Sequence, residues 1–228
     1  MIYNSEPIKL VKVEPENPIH STPLPKWGRP ILELLGKHYF LEVNQLNDSI
    51  FGSGNRTGRK KFVELFQMGY LSRYELYCED QEKPIIGYSL TEEGVRVVRR
   101  YSIPVLSINK AQEYIIANEF LFMQGHLLDG WKLLNGYQLL IGEIQIDNLR
   151  YGLWAPREEE TRIKSLLMET QGLQGLVVIV PKEHMIMPIV RRLEGLPLTK
   201  PAFYTTDDNL EVLYEIVNGQ PVMVADIE

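Results

Sequence analysis

Apolar positions at Phe62, Leu65, Phe66 and Gly69 follow the i, i+3, i+4, i+7 spacing of one helix face and predict a helix over about Thr57 to Met68. Such a helix turns Arg56, Lys60 and Gln67 outward, and Arg59 and Lys61 flank the exposed face. Gly69 punctuates its end. The period then changes to two. Tyr70 to Tyr77 alternates as a half-buried strand, Glu79-Asp80-Gln81-Glu82-Lys83-Pro84 makes a polar turn, and Ile85 to Leu90 returns as a second strand. Thr91 is a good N-cap for a further helix, with Glu92 and Glu93 in the first turn, where the dipole favours carboxylates, and Val95, Val97 and Val98 as apolar surface. Upstream, Pro30 suits the first turn of a helix carrying Ile31, Leu32, Leu34 and Leu35, and Leu41 to Phe51 forms the next. Gly52-Ser53-Gly54 is the turn before the third helix, with Asn55 as its cap.

Residues 1–25 carry Pro7, Pro15, Pro18, Pro23 and Pro25 with weak alternation around Ile8, Leu10, Val11 and Val13, which reads as an extended arm with one short strand. Tyr101 to Asn109, with Pro104, reads as a boundary between domains, so the division expected is an arm at 1–25, a first domain at 26–103 and a second at 104–228. The second opens with a helix from Lys110 to Leu128. Strands at Tyr137 to Ile146 and Leu149 to Ala155 follow, joined by a tight turn at Asp147-Asn148. A helix over Arg157 to Glu169 leads to Leu176-Val177-Val178-Ile179-Val180, a strand apolar enough to be buried on both faces. The rest reads as a helix near Glu183 to Arg192, a strand at Ala202 to Thr205, a helix from Asp207 to about Ile216 and a closing strand at Pro221 to Ala225. The fold class expected is α+β, its second domain an α/β unit with a mixed sheet flanked by helices.

Charge narrows where function would sit. The chain of 228 residues has a net charge of −6, which argues against a non-specific coating of nucleic acid. Residues 26–101 nevertheless hold 12 Lys and Arg against 10 Asp and Glu, whereas the remainder holds 12 against 20. Within that stretch, Asn55 to Arg73 has five basic residues and one acidic residue, Glu64. A local basic patch on a predicted helix is the footprint of a phosphate binder. No apolar run is long enough for a membrane span, and Met-Ile-Tyr-Asn-Ser-Glu is not the start of a signal peptide, so a cytoplasmic location is expected. Cys78 is the only cysteine, which rules out an intrachain disulfide and a cysteine-based zinc cluster.

A basic helix, a hairpin and the line Tyr88-Ser89-Leu90-Thr91-Glu92-Glu93-Gly94 together resemble a winged-helix (winged helix-turn-helix) DNA-binding domain, over about Lys26 to Tyr101. In that family the second helix of the helix-turn-helix enters the major groove and the hairpin is a wing against the flanking backbone. Carried over by position, the resemblance implies DNA contacts from Asn55, Arg56, Thr57, Arg59, Lys60 and Lys61, with Arg73 where the helix hands over to the wing. Lys60, Lys61 and Arg73 would anchor phosphates, and Arg56 or Arg59 would reach base edges. The acidic wing tip, Glu79, Asp80 and Glu82, departs from the pattern, since a phosphate-gripping tip is basic.

A winged helix followed by a helix, a β-hairpin and αβ units also resembles the replication-relaxation family of plasmid and mobile-element proteins, whose second domain is restriction-endonuclease-like. That implies a role in plasmid replication, conjugative transfer or transcription regulation. Nuclease chemistry on that fold needs an acid on one strand and an acid-x-lysine triplet on the next, because the carboxylates hold Mg²⁺ and the lysine helps activate water. The nearest match is Glu143-Ile144-Gln145, with Gln in the lysine's place; Asp147 falls in a turn and Tyr151-Gly152-Leu153-Trp154-Ala155 has no acid. Lys164 on the next helix is the nearest displaced lysine. The domain is therefore expected to be a degenerate version, with no catalytic residue, no metal and no cofactor.

Other constellations are weaker. His20, His38, His126 and His184 share no metal-ligand spacing. Glu119 and Asp129 near His126 fit a helix end, Glu158, Glu159 and Glu160 suit a helix N-terminus, and Trp131, Trp154 and the Tyr137 region fit a core as well as a ligand pocket. The expectation is sequence-specific binding of double-stranded DNA by a non-enzymatic homodimer, whose acidic second domain mediates self-association or contacts a partner protein. A ligand-sensing transcription factor, a metal-dependent nuclease using Glu143 and a pure interaction module are the alternatives.

Overall fold

The computed structural model describes residues 7–19, 23–53, 55–79, 81–99, 101–136, 138–157, 165–194 and 202–224. The chain is α+β and divides into two compact units, Ser5–Ile115 and Ile116–Glu228. The dividing point lies inside one helix, downstream of the expected boundary at 103/104.

The first unit runs β1 (Pro7–Val13), α1 (Gly28–His38), β2 (Leu41–Glu42), α2 (Val43–Phe51), α3 (Arg56–Gln67), β3 (Leu71–Cys78), β4 (Ile85–Leu90) and α4 (Glu92–Val98). Its four strands form one antiparallel sheet in the order β1-β3-β4-β2. The short strand expected in the proline-rich start is present as β1, and it belongs to the sheet of the first unit. Residues 7–13 pair with β3 along its length, Val13 opposite Arg73 and Leu10 opposite Leu76. Three helices and one face of this sheet enclose a core of Ile31, Leu32, Leu35, Leu41, Leu46, Phe62, Leu65, Tyr88 and Leu90. Thr91 caps α4 as its sequence suggests, its hydroxyl accepting from Gly94 N at 3.1 Å and donating to Gly69 O at 2.7 Å.

The second unit takes in the C-terminal part of α5 (Ile108–Gln124), then β5 (Gly130–Leu133), β6 (Leu140–Ile146), β7 (Leu149–Trp154), α6 (Leu166–Glu169), β8 (Gly175–Val180), α7 (Ile186–Glu194), β9 (Ala202–Thr206), β10 (Asn209–Val217) and β11 (Gln220–Val224). The seven strands lie in sequence order, with β7, β8 and β9 parallel and every other neighbour pair antiparallel, so the sheet is mixed. The turn at Asp147-Asn148 holds both residues at positive φ, 50° and 61°, the geometry of a two-residue hairpin. Six consecutive residues of β8 are buried, and Leu176, Val178 and Val180 pack with Ile186, Ile189, Val190 and Leu193 of α7. Of the helix expected over 157–169, the described part is α6; Glu158, Glu159, Glu160 and Lys164 lie outside the described residues, as do His20 and Tyr137.

One expected element is wrong in kind. Residues 209–217 form a strand, not a helix. Leu210, Leu213, Tyr214 and Val217 fit a helical face, but Leu210, Val212, Tyr214 and Ile216 fit an alternating strand equally well. Two neighbouring strands decide the matter: Tyr214 pairs with Tyr204 on one side and with Met223 on the other. The local signal was Asn218-Gly219, at φ 53° and 76°, two residue types that tolerate the left-handed turn joining β10 to β11, glycine because it lacks a Cβ. A short strand, β5, was also missed.

Candidate nucleic-acid interface

Helix α3 is held at both ends by its own sequence. Asn55 Oδ1 accepts from Thr57 N at 2.8 Å, the cap the sequence suggests. At the far end Gly69 adopts φ 78°, Tyr70 N donates to Leu65 O and Gly69 N to Phe66 O, each at 3.0 Å, so the last carbonyls are satisfied. Gly58, Phe62, Leu65 and Phe66 are buried on the inner face. A side chain at Gly58 would overlap Asn47 Oδ1 and the Phe51 ring, so the glycine sets how closely α3 lies on α2. The outer face presents Thr57, Arg59, Lys60, Val63 and Glu64, all exposed; the Arg56 side chain lies outside the described residues.

The basic residues have different surroundings. Lys60 is exposed on the open face. Arg59 Nη2 donates to Asn44 Oδ1 at 2.7 Å, Asn44 Nδ2 donates to Glu42 Oε1 at 2.8 Å, and Glu42 Oε2 accepts from Asn44 N and Gln45 N at the start of α2. Arg59 is thereby oriented by a chain of hydrogen bonds rooted in a helix cap. Asn44 and Glu42 were not singled out by sequence reasoning; their signal was Glu42-x-x-Gln45, a capping box with Glu in place of the usual hydroxyl residue.

Lys61 and Arg73 sit elsewhere than a phosphate anchor would. The Lys61 ammonium lies 4.8 Å from the Phe51 ring centre and 5.3 Å from that of Trp27, a cation–π arrangement that ties α3 to α2 and to the chain before α1. Arg73 lies on β3 beside Tyr88, its side chain 25% exposed, with Nη2 donating to Glu75 Oε1 at 2.8 Å. Glu75 Oε2 in turn accepts from the Tyr77 hydroxyl at 2.8 Å. The turn between β3 and β4 carries exposed Glu79, Glu82 and Lys83; Asp80 lies outside the described residues.

In the second unit, Glu143 stands on β6 opposite Lys132 of β5 and Gly152 of β7. Lys132 Nζ lies 3.1 Å from Glu143 Oε1, and Arg150 pairs with Oε2, so both carboxylate oxygens are taken. Together with Gln145 these residues line an open trough of about 260 Å³. Burial alone would raise the Glu143 pKa, but the hydrogen bonds and charges of Arg150 and Lys132 outweigh it and hold the carboxyl below its ordinary 4.5. Because the folded value is depressed, this pairing stabilises the fold above pH 4.5 and is lost as pH falls through the folded value. Stability followed by denaturant titration between pH 7 and 3 should therefore fall less in Glu143→Gln than in the parent over the acid limb; parallel curves would show that the pairing contributes nothing. Among the described residues no group of three His, Cys, Asp or Glu side chains is placed to hold a metal ion. Asp129 Oδ2 accepts from Asn148 N at 2.9 Å, a role in the β6–β7 turn, and His126 Nδ1 lies 3.1 Å from Met123 O at the end of α5. No helix among the described residues is long and apolar enough to cross a membrane.

No protein-family model matches the chain, and no curated protein matches it. Among solved structures, the chain is similar to protein VC1899 from Vibrio cholerae at 14% identity and a TM-score of 0.30, over 82% of this chain and 49% of that one. The chain thus spans about half the length of that structure, and a likeness of this size assigns neither fold nor activity.

Proposed function

We propose that the first unit is a winged-helix module that binds double-stranded DNA with α3 in the major groove, and that the second unit serves self-association or a partner protein. The observation that carries this reading is the outer face of α3, where Thr57, Arg59 and Lys60 stand exposed beside the Asn55 cap while the inner face is anchored in the core. The order α1-β2-α2-α3-β3-β4, with β2, β3 and β4 in one sheet, supports the module. Lys60 contacts phosphate, Arg59 reaches the bases from the posture Asn44 gives it, and Lys61 and Arg73 support the scaffold. In the second unit, the order α5-β5-β6-β7-α6-β8 supports a restriction-endonuclease-like arrangement, and a Glu143 held by two cations supports its being degenerate. The process served is replication, transfer or regulation of a plasmid or mobile element.

Binding of the full chain to a pool of random duplexes across a salt series tests the reading. Affinity should select a sequence and fall steeply with salt. Lys60→Ala should lower the salt slope by about 1 across all sequences, whereas Arg59→Ala should cost ~1–3 kcal/mol and relax selection at one position. Lys61→Gln should leave the slope unchanged. No binding, or binding indifferent to both Arg59 and Lys60, overturns the reading and favours a protein-contact role, for which the exposed acids Glu79 and Glu82 at the wing tip are the supporting observation.

A further inference from the structure

The seven-stranded sheet ends on β11, whose one neighbouring strand among the described residues is β10. The register of this hairpin fixes which backbone groups of β11 face outward. Val217 and Gln220 flank the two-residue turn Asn218-Gly219, so they form the pair that exchanges both N–H···O bonds, and every second pair beyond them does the same. Glu215 and Val222 are thus bonded to each other, whereas Pro221 and Met223 turn their backbone away from β10. Two further facts agree. Tyr214, opposite Met223, turns the other way and pairs with Tyr204 of β9, and position 221 holds a proline, which has no N–H to offer the open side. Met223 presents both its N–H and its C=O to that side.

The side chains leave this edge without the usual protection. Sheet edges are commonly blunted by charge or by brevity. Strand β1 carries exposed Lys9 and Lys12, β5 carries exposed Lys132, and β2 is two residues long. Residues 220–224 carry no charge at all, in a chain whose net charge is −6. Val222 and Met223 are instead 47% and 59% exposed, on opposite faces of the strand, with exposed Val217 on the face of Val222.

We propose that β11 pairs antiparallel with β11 of a second copy of this chain, about a two-fold axis at Met223. Each Met223 donates its N–H to the carbonyl of the other, Val222 comes opposite Val224 of the second copy, and the two seven-stranded sheets join into one. The proposal rests on the self-association reading of the second unit and names its surface; DNA binding does not enter it. The edge suits a copy of itself better than a long foreign strand. A strand lying along Pro221 finds no donor there, whereas pairing centred on Met223 is two-fold by construction and puts neutral, apolar residues together on both faces. Each chain has one β11, so the contact closes at the dimer. A single strand pair buries less than the ~1,600 Å² of a standard interface, so the dimer dissociates on dilution.

Sedimentation velocity of the full chain over a ~100-fold range of concentration should show a monomer passing reversibly to a dimer. Met223→Pro removes only the outward N–H, and Val222→Lys places on this edge the charge that β1 and β5 carry. Each should weaken dimerisation at least ~10-fold. Neither touches a bond to β10, so both variants should melt as the dilute parent does. Met223→Cys should cross-link under mild oxidation, because residues that face each other across such an axis have Cα atoms about 5.5 Å apart. Val222→Cys stands diagonal to its own mate, beyond disulfide reach, and the natural Cys78 is buried. A parent that stays monomeric throughout removes self-association itself, and this proposal with it. Dimerisation that survives both Met223→Pro and Val222→Lys, or cross-linking equal at positions 222 and 223, leaves self-association standing and overturns β11 as its surface.

Discussion

Replacing Arg157 with Met is expected to cost about 3–5 kcal/mol of stability at neutral pH, because it strands the Asp207 carboxylate, fully buried, without its cation. The double replacement Arg157→Met/Asp207→Leu should recover most of that loss, since an apolar pair of similar volume removes the desolvation penalty along with the attraction. A double-mutant cycle by chemical denaturation measures both. The pH dependence carries a sign that can be checked. Burial pushes the Asp207 carboxyl above its ordinary 3.8, against the pull of Arg157. A raised folded value means that the folded state holds the proton more firmly, so this group's contribution declines as pH rises from 3.8 through the folded value. Without Arg157 the folded value climbs further, and the single variant's deficit should shrink at acid pH as the stranded carboxyl takes up a proton. A deficit independent of pH would show that lost packing, and not the stranded charge, is responsible.

Phe62→Ala is expected to have the other large effect, about 3–5 kcal/mol, as a fully buried ring truncated to a methyl leaves a cavity. Its ring lies 6.0 Å from that of Phe51 on α2 and 5.9 Å from that of Tyr88 on β4, so one side chain joins the proposed reader helix to the helix before it and to the sheet behind. Phe62 is buried on the inner face of α3, whereas Thr57, Arg59 and Lys60 are exposed on the outer face. At temperatures well below its lowered melting midpoint the variant should therefore keep the parent's salt slope on DNA, in contrast to Lys60→Ala, and lose binding only where the unit unfolds. A changed slope in the folded variant would mean that α3 shifts on its bed when the ring is removed, and that its outer face depends on more than its own caps.

How much of this was legible in the chain follows the distance over which each feature is encoded. The third helix, its Asn55 cap and Gly69 stop, the hairpin behind it, the Thr91 cap and the tight turn at Asp147-Asn148 each depend on residues within a turn or two of one another, and the structure places them where the pattern does. Residues 209–217 satisfy two periods at once, and there the local pattern has no single answer. The flanking strands chose, because only an extended segment could complete the ladders on both sides.

The basic residues show the same division more finely. Which of them lie on α3 is a matter of spacing. Which face water and which are held is not: Lys61 rests over rings from Trp27 and Phe51, Arg59 is tethered to Asn44, and Arg73 is paired with Glu75. The sequence by itself determined the third helix, its caps, the hairpin and the location of positive charge, since helix periodicity, capping and turn chemistry act between near neighbours. Only the tertiary structure decided that residues 7–13 complete the first sheet, that Glu143 is neutralised across three strands, and that Arg157 and Asp207 meet as a buried ion pair. Those facts depend on strand order and register, which bring together residues that share no local signal.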